Sequence, residues 1–402
     1  MEEEEKKYKS IDDILPPDLI HRIFLKVPAK HLARLRCVSK LWYSLISDPQ
    51  FVEFHFQYSP AVTNTFIFIA KGCVSCFVDL DALFSVNNDA LQVKRVSPPF
   101  KMKSPPYFEV LGSCRGFVLL RGQGNFLVLW NPLTGSSKGI SYSRIASRCK
   151  NKGYWIPREF LVYGFGYDAS QDDYLLVVAC HDKHGQAHFN CLSLKTNSFI
   201  YFDAAPPKPL GFYNWNPRGL FFNGAIHWVP SYLQDYRDAI LIFDLKERTF
   251  SMISAPEQML ISACRSPGLA LLGGCLAFYY GNLDSIITDI WVMKEYKVHS
   301  SWILYQIPCF GFRPLCLSSD MNLIGKGDTC DKLEFYIYNL REERLQYFKY
   351  PCFPAAVFEA NAVYTESLLP LPSDIKDKDE KEEEQGHQFL HEFFELLDVA
   401  KG

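Results

Sequence analysis

Two groups of cysteine and histidine side chains have the chemistry to bind zinc. Cys73 and Cys76 form a Cys-x-x-Cys pair, but the chain contains no second pair of this kind, and a structural zinc site needs four ligands. The second group is Cys180, His181, His184, His188 and Cys191. Residues 182–185 between these ligands are typical of a hairpin turn, which would bring the two flanking strands together. We predict no metal site, with a zinc site across this hairpin as the alternative.

Carboxylates and glycine-rich segments do not form a catalytic pattern either. Asp172 and Asp173 are adjacent, so on a strand their carboxylates point to opposite faces and cannot share one substrate. Gly122 and Gly124 precede a strand-like segment rather than a helix, which is typical of a hairpin turn and not of a dinucleotide-binding loop. The chain has no P-loop and no His-Glu-x-x-His motif. We therefore predict that it is not an enzyme and binds no cofactor.

The overall composition excludes several classes of protein. The 402 residues carry a net charge of −3, which excludes a polybasic nucleic-acid binder, and 48% are hydrophobic, which excludes a mostly disordered chain. The longest apolar run is too short to cross a membrane. The 13 cysteines are odd in number and scattered, and the chain starts with acidic residues, so we expect a reducing compartment, the cytoplasm and/or the nucleus.

The elements that must position any functional residues begin with short helices over residues 11–56. Apolar residues recur there at helical spacing, and Asp48 followed by Pro49 is typical of a helix start. About 45 residues make a marginal core by themselves. Two interpretations follow, a cap that packs on the rest of the chain or a module that binds a partner, and the pattern alone does not choose between them.

Residues 57–365 contain an internal repeat. A strand-like run, a turn former and a second strand-like run recur around six marker residues: Leu80, Leu133, Leu194, Leu245, Met293 and Leu340. Their spacing ranges from 47 residues (Met293 to Leu340) to 61 residues (Leu133 to Leu194). A period near 50 with strand–turn–strand content is typical of propeller blades. We predict an α + β multidomain chain in which the helical module precedes an all-β propeller of six blades, with a pair of β-sandwiches as the alternative.

The helical segment resembles the F-box family. The similarity covers Leu15-Pro16-x-Asp18-Leu19, Val27-Pro28-Ala29-Lys30, Leu35-Arg36-Cys37-Val38-Ser39-Lys40-x-Trp42 and Leu45-Ile46-Ser47-Asp48-Pro49-x-Phe51, in order and in register. This resemblance implies binding to a Skp-type adaptor and, through it, to the cullin and RING subunits of a ubiquitin ligase. It also implies that the contact is formed or supported by Leu15, Pro16, Leu19, Ile23, Leu35, Val38 and Trp42.

The repeat region resembles the F-box-associated domain of flowering-plant proteins, through Trp130-Asn131-Pro132-x-Thr134-Gly135, Gly164-Phe165-Gly166-Tyr167-Asp168 and Trp291-Val292-Met293-Lys294-Glu295-Tyr296. The two resemblances together imply a substrate receptor of an SCF-type ubiquitin ligase. Two alternatives stay open, an adaptor-bound regulator that acts outside degradation, and a glycan-binding lectin or propeller enzyme with an appended F-box.

Two long segments between repeats suggest where a target protein would bind. Segments that link successive blades share one face of a propeller, and arginine with aromatic residues is the composition of interaction hot spots. The residues are Arg144, Arg148 and Arg158 in segment 141–159 and Phe212, Tyr213 and Trp215 in segment 203–218. Ordinary solvated loops are the alternative.

The two ends of the chain differ in composition from the rest. Residues 1–10 are charged, and residues 376–385 are almost entirely charged, which predicts a largely disordered tail over 366–402. Within that tail, Phe389, Phe393, Phe394 and Leu397 suggest one short helix.

Overall fold

The structure is a computed structural model that contains four helices and 24 strands in its described part. It describes residues 15–59, 64–70, 74–80, 94–96, 109–121, 126–141, 162–181, 187–207, 218–229, 240–256, 264–327, 334–349 and 361–372. Within these ranges, no helix is both long enough and apolar enough to cross a membrane.

The helical module consists of α1 (Pro17–Phe24), α2 (Ala29–Leu35), α3 (Lys40–Ser47) and α4 (Pro49–Tyr58). Local chemistry sets these bounds. The Ser39 hydroxyl accepts a hydrogen bond from the Trp42 amide (3.1 Å), and the Asp48 carboxylate accepts one from the Phe51 amide (2.8 Å). Each side chain satisfies an amide that has no partner inside the helix. The start of α4 at Asp48 and Pro49 is the one that the sequence predicts.

The strands form six sheets of four strands each, which confirms the six-bladed propeller. Blade 1 contains β1 (Asn64–Ala70), β2 (Val74–Asp79) and β3 (Lys94–Val96). Blade 2 contains β4 (Glu109–Cys114), β5 (Phe117–Arg121), β6 (Phe126–Trp130) and β7 (Ser137–Ser141). Blade 3 contains β8 (Val162–Asp168), β9 (Asp173–His181), β10 (Ala187–Ser193) and β11 (Ser198–Ile200).

Blade 4 contains β12 (Leu220–Phe222), β13 (Ala225–Trp228), β14 (Ile240–Asp244) and β15 (Phe250–Ile253). Blade 5 contains β16 (Cys264–Leu272), β17 (Cys275–Asn282), β18 (Ile287–Met293) and β19 (Trp302–Ile307). Blade 6 contains β20 (Arg313–Leu317), β21 (Asn322–Lys326), β22 (Glu334–Asn339) and β23 (Arg344–Lys349), and β24 (Asn361–Thr365) is the last strand.

The ring is closed by the two ends of the repeat region. β24 pairs antiparallel with β1 and completes blade 1, whose strand order is β24-β1-β2-β3. It takes the inner position that β4, β8, β12, β16 and β20 hold in the other blades, and it contacts β4 of blade 2. The first and last strands of the repeat region are therefore held together by hydrogen bonds within one blade.

The repeat markers occupy equivalent places. Each lies at the turn between the third and fourth strand of its blade or at the end of that third strand. In three blades an Asn or Asp one or two residues before the marker has a side-chain oxygen that accepts hydrogen bonds from backbone amides two and three residues later: Asn131, Asp244 and Asn339. Such turns need a short side-chain acceptor, which explains the recurring turn former in the sequence.

The antiparallel order gives the propeller two distinct faces. The turns between first and second and between third and fourth strands emerge on one face, which we call the helical face. The other connections emerge on the opposite face, which we call the distal face. Lys30 of α2 bonds to Asp79 at the end of β2 (2.7 Å), and Glu53 of α4 pairs with Arg115 between β4 and β5. The helical module thus sits on the helical face.

The helical module and the propeller share one apolar core. Ile20, Phe24, Leu32 and Phe51 belong to the same buried cluster as propeller residues such as Phe117. The interpretation of a cap on the rest of the chain is therefore correct for one side of the module. The module cannot be treated as an independently folded unit, because its buried side is completed by blades 2 and 3.

The boundary placed after residue 365 needs a correction. Ser367, Leu368 and Leu369 were assigned to the tail, yet they are buried against the helical face. The side-chain amide of Asn131 donates to the carbonyls of Ser367 (3.1 Å) and Leu369 (3.2 Å). These side-chain-to-backbone hydrogen bonds connect the segment after β24 to blade 2. The folded domain therefore extends at least to residue 369.

Candidate protein-interaction site

An apolar surface of the helical module faces away from the propeller. Leu19 and Ile23 of α1 are 44% and 51% exposed, and Val38, in the turn before α3, is 59% exposed. Leu41 and Tyr43 of α3 are exposed as well. Large apolar side chains grouped on one surface mark a site for a protein partner. We call these five residues the outer surface.

The other four predicted contact residues lie beside the outer surface or between it and the core. Pro16 is exposed and directly precedes α1, whereas Leu15, Leu35 and Trp42 are partly buried against the core. The Trp42 ring packs edge-to-face on Phe24, with 4.9 Å between the ring centroids. The seven predicted residues thus divide into exposed ones and supporting ones. Leu41 and Tyr43 were not among them, although Leu41 belongs to the apolar pattern of the third helix.

Arg115 connects the helical module to blades 2 and 3. It stands in the turn between β4 and β5 with a left-handed backbone (φ 49°), and its side chain forms an ion pair with Glu53 of α4. Its guanidinium carbon lies 4.1 Å from the centre of the Tyr167 ring and 4.9 Å from that of Phe56. Nε of the same side chain donates to the Tyr174 hydroxyl (3.3 Å).

The electrostatics of this contact favour the charged arginine. Burial alone would lower the pKa of Arg115, but the hydrogen bond to Glu53 and the contact with Tyr174 outweigh it and raise that pKa. Burial and the hydrogen bond to Asp172 raise the pKa of Tyr167 to about 12. The charge therefore persists under all physiological conditions, and it fixes how α4 sits on the propeller.

Sequence reasoning missed Arg115. Its partner Glu53 is 62 residues away, and no local pattern around Arg115 indicates such a pairing. A Cβ atom added at Gly116 would collide with Ser367, so the turn that carries Arg115 also packs closely against the segment after β24.

The residues predicted to bind a target are outside the described part of the chain. Arg144, Arg148, Arg158, Phe212, Tyr213 and Trp215 all fall there. Their role therefore stays a prediction. The described strands on either side of these segments, β7 and β8 and then β11 and β12, have their nearest ends on the distal face.

The candidate zinc ligands are placed only in part. Cys73 and His184 lie outside the described residues, as do the side chains of Cys76, Cys180 and His181. His188 is half-buried opposite Cys180 in the β9–β10 ladder, and Cys191 is buried in an apolar cluster. Burial raises the pKa of the Cys191 thiol to about 12, which disfavours the thiolate that zinc requires. The described residues contain no group of three or more metal-ligating side chains.

The two adjacent carboxylates bond to separate partners. Asp172 accepts from the Tyr167 hydroxyl (2.7 Å) and from Lys195 (3.3 Å), while Asp173 accepts from the Ser193 hydroxyl (2.5 Å) and the Lys195 amide (3.0 Å). Both groups hold turns of blade 3. They form no acid–base pair.

Comparison with known proteins agrees with this architecture. Residues 68–324 match the F-box associated beta propeller domain, and residues 13–54 match the F-box domain. The F-box protein CPR1 of Arabidopsis thaliana is 27% identical, over 93% of this chain and 93% of its own length. The F-box/kelch-repeat protein At3g23880 of the same plant is 25% identical, over 83% of this chain and 90% of its own length.

The propeller match covers more than half of the 402 residues, and both matched regions coincide with the helices and blades of the structure. The chain therefore belongs to the plant F-box proteins that carry an F-box-associated β-propeller domain.

Proposed function

We propose that this chain is the substrate receptor of an SCF-type cullin–RING ubiquitin ligase. The observation that carries the proposal is the division of the helical module into two sides. One side is buried on the propeller, and the other exposes the outer surface around Leu19, Ile23 and Val38. A Skp-type adaptor bound there would recruit the cullin and RING subunits, while the distal face of the propeller stays accessible to a target protein.

The role that follows is non-catalytic. The receptor holds the target near a ubiquitin-charged enzyme and raises the effective concentration of its lysines. The contacts of Arg115 with Glu53, Phe56 and Tyr167 support this role, because a rigid joint between adaptor site and propeller would keep the target at a defined distance.

The adaptor contact is tested by replacing Ile23 with Asp in the full chain and measuring copurified Skp-type adaptor after co-expression. A charge in the centre of the outer surface should abolish binding, because it would be desolvated without a partner. Ile303→Asp is the matched control, since Ile303 is 43% exposed on β19, far from the helical module. Equal adaptor recovery for Ile23→Asp and wild type would overturn the proposal.

Ligase function needs a second measurement. Proteins that copurify with the wild type in cells should increase in abundance when the proteasome is blocked. In cells that carry only Ile23→Asp, blocking the proteasome should cause no further increase in the same proteins. Targets that bind without changing in abundance would favour the adaptor-bound regulator instead.

We also propose a location in the cytoplasm and/or the nucleus. The described cysteines are free thiols, among them the exposed Cys37, and free thiols suit a reducing compartment. Imaging of a fluorescent fusion tests this, and accumulation in the secretory pathway would contradict it.

A further inference from the structure

A cleft opens between blades 5 and 6 on the distal face. Its walls are the first residues of β16 and β20, the end of β17 and the link between β19 and β20, with Arg265, Tyr279, Phe310, Phe312 and Arg313 as its largest side chains. The space inside it is about 20 Å³, which is room for about one water molecule. Sites for small molecules generally measure roughly 300–1,000 Å³. The cleft is therefore too shallow to enclose a metabolite, and a ligand would lie across its mouth, as a segment of a protein can.

The two arginines stand near the start of the first strand of adjacent blades. Arg265 is exposed, and its Nη1 donates to the carbonyl of Cys264 (3.1 Å), while Arg313 is half-buried. The strand ladder shifts register directly after Arg265 and again just after Arg313, between Pro314 and Cys316. Such bulges change the direction of nearby side chains and are frequent beside binding sites. Planar guanidinium groups recognise carboxylates and phosphates through paired hydrogen bonds.

Phe310 adds an apolar wall that is fixed before any ligand binds. The ring is 43% exposed, and it lies so close to Gly281 that a Cβ there would come within 2.9 Å of it. The Thr288 hydroxyl donates to the carbonyl of Cys309 (2.7 Å) and accepts from the amide of Phe312 (3.1 Å), which holds the link on both sides of Phe310. A wall held in this way loses little conformational entropy on binding.

The hairpin between β17 and β18 extends this surface at the same end of blade 5. Ile286 is 70% exposed and has a left-handed backbone (φ 55°), and Leu283 is 43% exposed. A β-branched residue rarely adopts that conformation, and such strain persists mainly where function requires it. Asp284 is the one exposed carboxylate of this hairpin, because Asp289 is buried and accepts from Asn282 (2.8 Å) and Gln306 (3.0 Å).

We propose that this cleft binds a target segment in which an anionic side chain stands next to an apolar one. The arginines would take the anion, and Phe310 with Ile286 would cover the apolar neighbour. This inference rests on the proposed function, since it names the class of target that the receptor would recognise. The anion is the carboxylate of an aspartate or glutamate, and a phosphorylated serine is the alternative that the test separates.

The test starts from a phage-displayed random peptide library selected on the full chain bound to its adaptor. The strongest selected peptide is then synthesised with Glu, Gln or phosphoserine at its anionic position and measured by fluorescence anisotropy. Enriched peptides should combine an acidic and an apolar residue. Replacement of Glu by Gln should weaken binding about tenfold. The phosphoserine peptide should bind no more tightly than the Glu peptide, and tighter binding would overturn the carboxylate as the recognised anion.

Three substitutions connect the peptide to the cleft. Arg265→Gln and Arg313→Gln should each weaken binding about tenfold, and Phe310→Ala should weaken it about thirtyfold. Arg341→Gln is the matched control, because Arg341 is an exposed arginine in a turn of the helical face. Asp284→Asn should tighten binding two- to threefold, since it removes a repulsive charge. A gain of this kind cannot arise from misfolding.

Adaptor binding is measured on every variant and should not change, so a failure of the cleft is distinct from a failure of the receptor function. The inference is overturned if the library enriches no acidic peptides. It is also overturned if Arg265→Gln and Asp284→Asn leave the affinity of the selected peptide unchanged.

Discussion

Arginine stands on both faces of the propeller, and its surroundings differ between them. On the helical face, Arg115 is paired with Glu53 and enclosed by Phe56 and Tyr167, and only 13% of its side chain is exposed. On the distal face, Arg265 is exposed, and within the described residues its side chain donates to the carbonyl of the adjacent Cys264. The guanidinium group therefore stabilises the fold at Arg115, whereas at Arg265 it is accessible to a partner.

Further polar contacts join successive blades on the helical face. Arg248 of blade 4 pairs with Asp168 of blade 3 (2.8 Å), and His227 of blade 4 bonds to the Tyr296 hydroxyl of blade 5 (2.7 Å). Together with Arg115 and Tyr174, they connect blades 2 to 5. A buried polar group without a partner is costly, so each of these contacts should be sensitive to mutation.

The largest effect is expected for Arg115→Ala. It removes the ion pair, two cation–π contacts and the bond to Tyr174, and it leaves a cavity between module and propeller. We expect a loss of about 3 kcal/mol in the free energy of unfolding, measured by chemical denaturation. Adaptor binding should persist while limited proteolysis cuts near α4 faster. An unchanged proteolysis pattern would show that apolar packing alone holds the module.

Arg248→Ala should come next. Asp168 is 2% exposed and would lose the partner that neutralises it, at a cost of about 2–3 kcal/mol. Burial by itself would raise the pKa of Asp168. The hydrogen bonds from Ser170 and Arg248 outweigh this effect, so the pKa lies below its ordinary value. The double variant Arg248→Ala with Asp168→Asn should recover part of the loss in the same unfolding experiment. No recovery would mean that the cost comes from lost packing.

The His227 contact gives the helical face a dependence on pH. Burial lowers the pKa of His227 from 6.5 to about 4. Its folded-state pKa lies below its unfolded value, so the unfolded chain takes up the proton first as the pH falls. Stability should therefore drop by about 2 kcal/mol between pH 7 and pH 5. Thermal unfolding of His227→Gln measures this contribution, because the variant should have a flatter pH profile than the wild type.

These contacts mark the limit of what the sequence predicts. The spacing of Leu80 to Leu340 predicts the blades, because each marker reports a local turn whose chemistry repeats. The pairing of Arg115 with Glu53, or of Arg248 with Asp168, joins residues 62 and 80 positions apart. No local pattern encodes such a pair, because the pairing depends on which turn of the folded propeller contacts which helix or neighbouring blade.

The same reason explains the candidate sites. The outer surface could be predicted in outline only through the resemblance to the F-box family, which names Leu19 and Ile23. The apolar spacing alone does not distinguish these exposed residues from buried Ile20 and Phe24. The distal cleft could not be predicted, because Arg265 and Arg313 meet only when adjacent blades close side by side. Composition drew attention instead to segments 141–159 and 203–218, with their arginine and aromatic residues, whereas the two arginines of the cleft stand at the start of strands β16 and β20.

The smallest effect on stability is expected for Arg265→Gln. If Arg265 is kept for recognition, its loss should change the free energy of unfolding by no more than about 0.5 kcal/mol, the usual range for an exposed residue. The peptide affinity should fall nonetheless, so binding and stability separate at this position, whereas Arg115→Ala should affect stability most. Chemical denaturation of Arg265→Gln beside Arg341→Gln makes the measurement. A loss above about 1 kcal/mol, absent in Arg341→Gln, would show that Arg265 also fastens the blades, and the contrast between the two faces would then fail.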